Sequence, residues 1–81
     1  MLTKHLATHL GPNIRVNCIS PGGILNKQQK DFKFKYEKKT PLGRMMLVQD
    51  LYGLIDLLIS NKSKYINGSN IVIDGGWSVK K

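Results

Sequence analysis

Apolar residues recur along this chain with two different periods, and the switches between them divide it into elements. Leu2, Leu6 and Leu10 follow each other at i, i+4 and i+8, with His5 and His9 on an adjacent stripe, which predicts the end of an amphipathic helix. Gly11-Pro12 stops it, because proline cannot continue a helix. With no capping residue before its first turn, this helix reads as cut rather than begun, and at this length it needs a surface to lean on. Residues 14–19 then alternate apolar and polar, which predicts a strand ending in the turn Ser20-Pro21-Gly22-Gly23. From 48 to 60 the helical period returns, with Val48, Leu51, Leu54, Ile55, Leu58 and Ile59 on one broad face. Asp50 in its first turn suits the helix dipole, and Gly53 inside it implies a close backbone approach. Tyr65-Ile66-Asn67-Gly68 predicts a turn. Residues 69–74, with Ile71-Val72-Ile73 at their centre, form a continuous apolar run that fits a strand covered on both faces.

The stretch between the first strand and the second helix follows neither period cleanly. Residues 26–40 are polar and Lys-rich, interleaved with Phe32, Phe34 and Tyr36. Aromatics at i, i+2 and i+4 fit a strand, while Phe32 and Tyr36 on one face fit a helix; the segment reads as a loop with some helix. Pro41-Leu42-Gly43-Arg44 is a turn. The order helix, strand, loop, helix, strand is an α/β alternation, whose usual solution is a parallel sheet with right-handed crossovers. Two strands make no stable sheet alone, so the chain reads as part of a larger domain.

Composition sharpens this picture. At 81 residues, with 41% hydrophobic and 22% charged residues, the chain is neither strongly disordered in composition nor able to build a deep interdomain cleft. No run approaches the length of a membrane span, and the first residues are not a signal peptide, so a cytoplasmic setting without membrane is expected. One cysteine, Cys18, excludes an internal disulfide framework and reads as a small buried hydrophobe. His5 and His9 at i, i+4 could form a metal pair, but with no third ligand evident the expectation is no metal site.

Charge raises an alternative. The net charge is +8, and residues 26–44 carry seven basic against two acidic side chains, +5 of that total. Such a stretch with aromatics could be a groove that stacks bases. Nucleic-acid readers usually offer arginine as well, and here only Arg44 stands at its edge. A solvated Lys-rich face is the favoured reading, with nucleic acid unlikely.

Three stretches carry a resemblance: Asn13-Ile14-Arg15-Val16-Asn17-Cys18-Ile19-Ser20-Pro21-Gly22-Gly23-Ile24; Pro41-Leu42-Gly43-Arg44-Met45; and Ser63-Lys64-Tyr65-Ile66-Asn67-Gly68 followed by Ile71-Val72-Ile73-Asp74-Gly75-Gly76-Trp77. In this order and spacing they resemble the C-terminal part of the short-chain dehydrogenase/reductase family, over essentially all 81 residues. Within the family the chain looks most like members acting on sugar or polysaccharide precursors, including flagellin-modification enzymes. The resemblance implies an α/β fold, the C-terminal portion of a doubly wound Rossmann-type parallel sheet that binds NAD(P) outside the carboxyl ends of its strands. It implies that residues 1–81 are one C-terminal piece of such a domain, with 26–44 as the substrate-loop region. Pro21, Gly22, Gly23 and Ile24 would face the nicotinamide carboxamide, Pro21 fixing φ and Gly22 permitting close approach to a flat ring. Where the family commonly has Thr two positions after Ile24, this chain has Asn26, whose amide still donates and accepts. Phe32 and Tyr36 would belong to the substrate loop. Trp77 would be a packing or interface anchor, with a substrate contact as the alternative.

The family's Tyr-x-x-x-Lys acid/base pair and its Gly-rich phosphate turn have no counterpart here: Tyr36, Tyr52 and Tyr65 are followed four residues on by Thr40, Asp56 and Ser69. The expectation is therefore that catalytic residues are absent, that NAD(P) belongs to the parent enzyme and is not bound by this chain alone, and that the chain is inactive by itself. Its expected partner is the missing N-terminal part or a full-length homologue, the parent being a homo-oligomer. A basic polyanion-binding module and a non-catalytic interaction remnant are the alternatives.

Overall fold

The computed structural model describes residues 1–27 and 29–79. Three helices and two strands form in the expected order: α1 (Leu2–Leu10), β1 (Cys18–Pro21), α2 (Lys30–Lys39), α3 (Tyr52–Ile59) and β2 (Asn70–Ile73), with 3-10 turns at Val48–Leu51, Asn61–Ser63 and Trp77–Val79. The strands pair in parallel, Cys18 opposite Asn70 and Pro21 opposite Ile73. The sheet is short. Its carboxyl ends, Pro21 and Ile73, consequently lie side by side.

Strand β1 starts four residues later than the alternation at 14–19 predicts, and it runs into the expected turn as far as Pro21. The cause is side-chain competition for ladder positions. The Asn67 side-chain oxygen accepts the Val16 N–H at 3.0 Å, and the Asn17 side-chain oxygen accepts the Ser69 N–H at 3.0 Å. Asn17 also donates to the Ile66 carbonyl at 3.0 Å. These amides stitch 16–17 to 66–69, and a regular ladder begins only where Cys18 donates to the Ser69 carbonyl. Because Cys18 and Gly22 send their N–H groups to β2, the intervening odd-numbered position, Pro21, turns its nitrogen away. Proline therefore costs the pairing nothing.

Arg15 holds the other end of α3. Its guanidinium donates to four carbonyls, Ser63 at 2.7 Å, Leu58 at 3.0 Å, Ile66 at 3.1 Å and Ser60 at 3.4 Å. A cation is well placed there, because the carbonyls at a helix C-terminus have no partners within the helix. Ser63, buried beside it, donates to Leu58 or Ser60.

Five further expectations change. The loop at 26–40 becomes a ten-residue helix, α2, because Phe32 and Tyr36 at i, i+4 share a face, their ring centroids 6.1 Å apart. The helix expected over 48–60 splits into a 3-10 turn and α3. The close approach inferred at Gly53 is not there: a Cβ would meet nothing within 4 Å. In β2, burial alternates, and Val72 is 52% exposed, so only one face is covered by the described residues. The leucine stripe of α1 is likewise open, Leu2 and Leu10 being exposed, and the helix is fastened through its buried Ala7, whose carbonyl accepts from Asn67.

Candidate functional site

The carboxyl ends of β1 and β2 open onto a hollow of about 210 Å³, lined by Gly22, Gly23, Tyr36, Leu42, Arg44, Met46, Asp50, Ile73, Asp74 and Gly75. Three chain segments shape it. On one side the turn after β1 bends away; Gly22 still donates to the Ile73 carbonyl at 2.9 Å. Gly23 accepts from Met46 at 2.9 Å and Leu25 donates back to the Met46 carbonyl at 2.6 Å, an isolated parallel bridge centred on Ile24. This pattern directs the N–H and C=O of Ile24 itself away from Met46.

On the second side the turn after β2 is built by Asp74. Its carboxylate accepts the N–H of Gly76 at 3.0 Å and of Ser78 at 3.1 Å, and Gly75 and Gly76 take φ of +65° and +94°. Glycine is needed here twice over, for the positive φ and for space, since a Cβ on Gly76 would lie 2.9 Å from Pro41. Hydrogen bonds from Ser78, its side chain foremost, hold the Asp74 carboxyl below the usual carboxylate range against a smaller opposing effect of burial.

The third side is the 40–50 segment. Thr40, buried, donates its hydroxyl to the Tyr36 carbonyl at 2.8 Å, and Leu42 donates to Gly75 at 3.1 Å. Arg44 grips Asp50 through two bonds of 2.8 and 3.1 Å, while Asp50 also accepts the Leu47 N–H at 2.8 Å and so caps the 3-10 turn. The Arg44 hydrogen bond is the main reason the Asp50 carboxyl sits below its ordinary value, and the same bond raises the guanidinium.

Helix α2 closes the hollow. The Tyr36 hydroxyl accepts the Gly23 N–H, and the Tyr36 ring stacks on Trp77, centroids 4.5 Å apart and planes 15° from parallel. A Cβ on Gly23 would lie 2.5 Å from this ring, and one on Gly22 would lie 2.8 Å from the Asp74 Cβ. The flat group that the glycine pair admits is thus, in this arrangement, the chain's own Tyr36.

Of the residues singled out by sequence, Gly22, Gly23 and Tyr36 line the hollow together. Pro21 is the exposed last residue of β1, Ile24 is half-buried beside Met46, Asn26 is exposed, and Phe32, 54% exposed, is one helical turn from Tyr36. Trp77 packs against α2 through the Tyr36 ring. Sequence reasoning did not find Arg44, Asp50 and Asp74 as neighbours of this hollow. Asp74-Gly75-Gly76 carried the only usable signal, an acidic side chain that caps its own turn. His5 and His9 lie with ring centroids 4.4 Å apart, and no group of three or more metal-ligating side chains occurs among the described residues. No helix among them is long and apolar enough to cross a membrane.

The sequence model of a family described as Enoyl-(Acyl carrier protein) reductase matches residues 1–78. Over 67 residues the chain is 39% identical to post-translational flagellin modification protein A of Campylobacter coli, a match covering 83% of this chain and 26% of that protein. A short-chain dehydrogenase of Leptospira borgpetersenii with bound NAD+ superposes with a TM-score of 0.91 at 51% identity, covering 95% of this chain and 31% of that one. A 4-hydroxyisoleucine dehydrogenase complexed with NADH superposes with a TM-score of 0.90 at 40% identity, covering 99% and 36%. The chain thus spans about a quarter to a third of the length of these relatives, and its α/β order and parallel pair are those of a partial Rossmann-type sheet.

Proposed function

Because the chain belongs to the short-chain dehydrogenase/reductase family, we propose that it supplies the nicotinamide and substrate side of an NAD(P)-dependent oxidoreductase acting on a hydroxyl or carbonyl group. The observation that carries this reading is the hollow at the adjacent carboxyl ends of β1 and β2, where open parallel α/β sheets hold their ligands. At about 210 Å³ it falls below the roughly 300–1,000 Å³ of pockets that enclose a whole small ligand. It suits one ring-sized end of a dinucleotide and leaves the pyrophosphate and adenine to residues outside this chain.

Pro21, Gly22, Gly23, Ile24 and Asn26 are the residues that would hold the nicotinamide end, through the backbone groups of Ile24 and the Asn26 amide. When bound, the cofactor would accept hydride from a hydroxyl-bearing carbon or give it to a carbonyl carbon. The chain's own part is to orient and to exclude water: Met46 fixes the backbone around Ile24, and α2 with Phe32 and Tyr36 roofs the substrate side. The proton is transferred by groups beyond these 81 residues, so the chain acts only when assembled with the remainder of the fold or a full-length homologue.

An NADH titration followed by nucleotide fluorescence tests this in the assembled protein. Asn26→Ala is expected to weaken NADH by roughly 3- to 10-fold, the worth of one hydrogen bond. An assembled protein that binds no nicotinamide nucleotide would sink the reading; unchanged affinity in Asn26→Ala would remove Asn26 from it.

A further inference from the structure

Helix α2 is held to the rest of the chain by one side chain more than by any other. Tyr36 spends its hydroxyl on the Gly23 N–H and its ring on Trp77. The rest of the helix surface is lightly engaged. Phe32 and Phe34 are 54% and 48% exposed, no residue of the helix is buried, and Lys38 lies over Phe34 of its own helix. Its ion pair, Lys33 to Glu37 at 4.0 Å, also stays within the helix. At the C-terminal end Thr40 is buried against the Gly75 turn, which makes a natural pivot.

From this we infer that Tyr36 and Trp77 are positioning residues, a latch that joins the C-terminal turn to the substrate-side helix and sets how far α2 stands from the Gly22–Gly23 turn. The inference rests on the proposed function for what the hollow receives, and on geometry alone for the latch. Closed, the latch brings the Tyr36 ring against Gly23 and makes it one wall of the hollow. Open, α2 swings about Thr40, the wall is withdrawn, and the hollow widens on its substrate side. Met46 holds the backbone on both sides of Ile24, so that part of the nicotinamide side keeps its anchor when Tyr36 releases the Gly23 N–H. Latch strength therefore governs the substrate more than the cofactor. Glycine at position 23 belongs to the same device, since any Cβ there would push the ring out.

The helix carries its own reporters. Trypsin cleavage after Lys30, Lys33, Lys35, Lys38 or Lys39 requires the α2 backbone to unwind locally, which a helix released from its latch does more readily, and Trp77 is the sole tryptophan of these 81 residues. Proteolysis and Trp77 emission are to be compared in the full-chain protein as purified, with cleavage after Lys4 in α1 as the internal control. Tyr36→Phe keeps the stack and loses the hydroxyl, so α2 cleavage is expected to rise roughly 2- to 10-fold while cleavage after Lys4 is unchanged. Tyr36→Ala and Trp77→Ala are expected to exceed it, Tyr36→Ala is expected to shift Trp77 emission, and Trp77→Phe restores protection. In the assembled enzyme, substrate KM is expected to rise by a larger factor than the NAD(P)H Kd in Tyr36→Phe.

Equal α2 cleavage in all variants overturns the latch, as does a parallel rise after Lys4. Increased α2 cleavage with unchanged substrate KM overturns the positioning role. An assembled protein that turns nothing over, yet shows the cleavage pattern, leaves the latch standing and removes the proposed function instead.

Discussion

Gly23→Ala places a methyl group within 2.5–2.7 Å of two ring carbons and the hydroxyl oxygen of Tyr36, whose ring stacks on Trp77. Overpacking of this kind costs about 1–3 kcal/mol. Chemical denaturation should show that loss, accompanied by a change in Trp77 emission; a destabilised variant with unaltered emission would mean the strain is relieved elsewhere. Arg15→Met removes the donor to four carbonyls and is expected to destabilise by about 1.5–3 kcal/mol, read by urea unfolding. Individual residues were the least legible part of the sequence. Arg15 read only as a polar position in an alternating strand, because carbonyls at a distant helix end leave no trace in periodicity. Asp74 could be recognised as a turn residue, but nothing local revealed that its turn stands beside Gly22.

At the scale of elements, helix and strand types were mostly legible because apolar spacing fixes them, while their boundaries depended on side chains that compete for backbone bonds. The late start of β1 at Cys18 is the clearest case, since Asn17 and Asn67 occupy the ladder positions that the alternation had assigned to backbone. Helix α2 was ambiguous because five lysines among ten residues give a weak apolar face, and Tyr36 alone finds cover. Two element-scale outcomes follow. Gly53→Ala, with open space around the position, is expected to stabilise α3 by up to about 1 kcal/mol, the helix-propensity difference, measured by thermal melting. Loss of stability instead, in the assembled protein, would mean that another surface approaches Gly53 there. The second concerns acid. Asp50 and Asp74 both have carboxyls lowered in the folded state, so their contribution is present above the unfolded carboxylate value, about pH 4, and is lost as pH falls through the lower folded values. Asp74→Asn should therefore flatten the fall of Tm with pH below about 4; an unchanged slope would contradict the role given to its turn.

Considered whole, the molecule is long and open. It measures 47 × 23 × 21 Å with a radius of gyration of 15.4 Å, against about 12 Å for a compact chain of this length. It exposes 6475 Å², where a compact protein of this mass exposes about 4,900 Å². The difference is about twice what one partner contributes to an interface of standard size. Only Ala7, Met45 and Met46 are buried hydrophobics among the described residues, while Leu2, Leu10, Val48, Ile55, Ile59 and Val72 lie exposed on α1, α3 with its preceding turn, and β2. These are the faces on which the sequence predicted burial. The apolar faces read from the sequence are thus ones that the described residues leave open, on either side of a sheet that has two strands among them. The most direct measurement is an NADH fluorescence titration of the chain alone and of the chain mixed with the N-terminal two-thirds of a related enzyme. The expected result is no binding by either part and recovered binding by the pair. Nucleotide binding by the isolated chain, or a pair that neither associates nor binds NADH, would contradict the account.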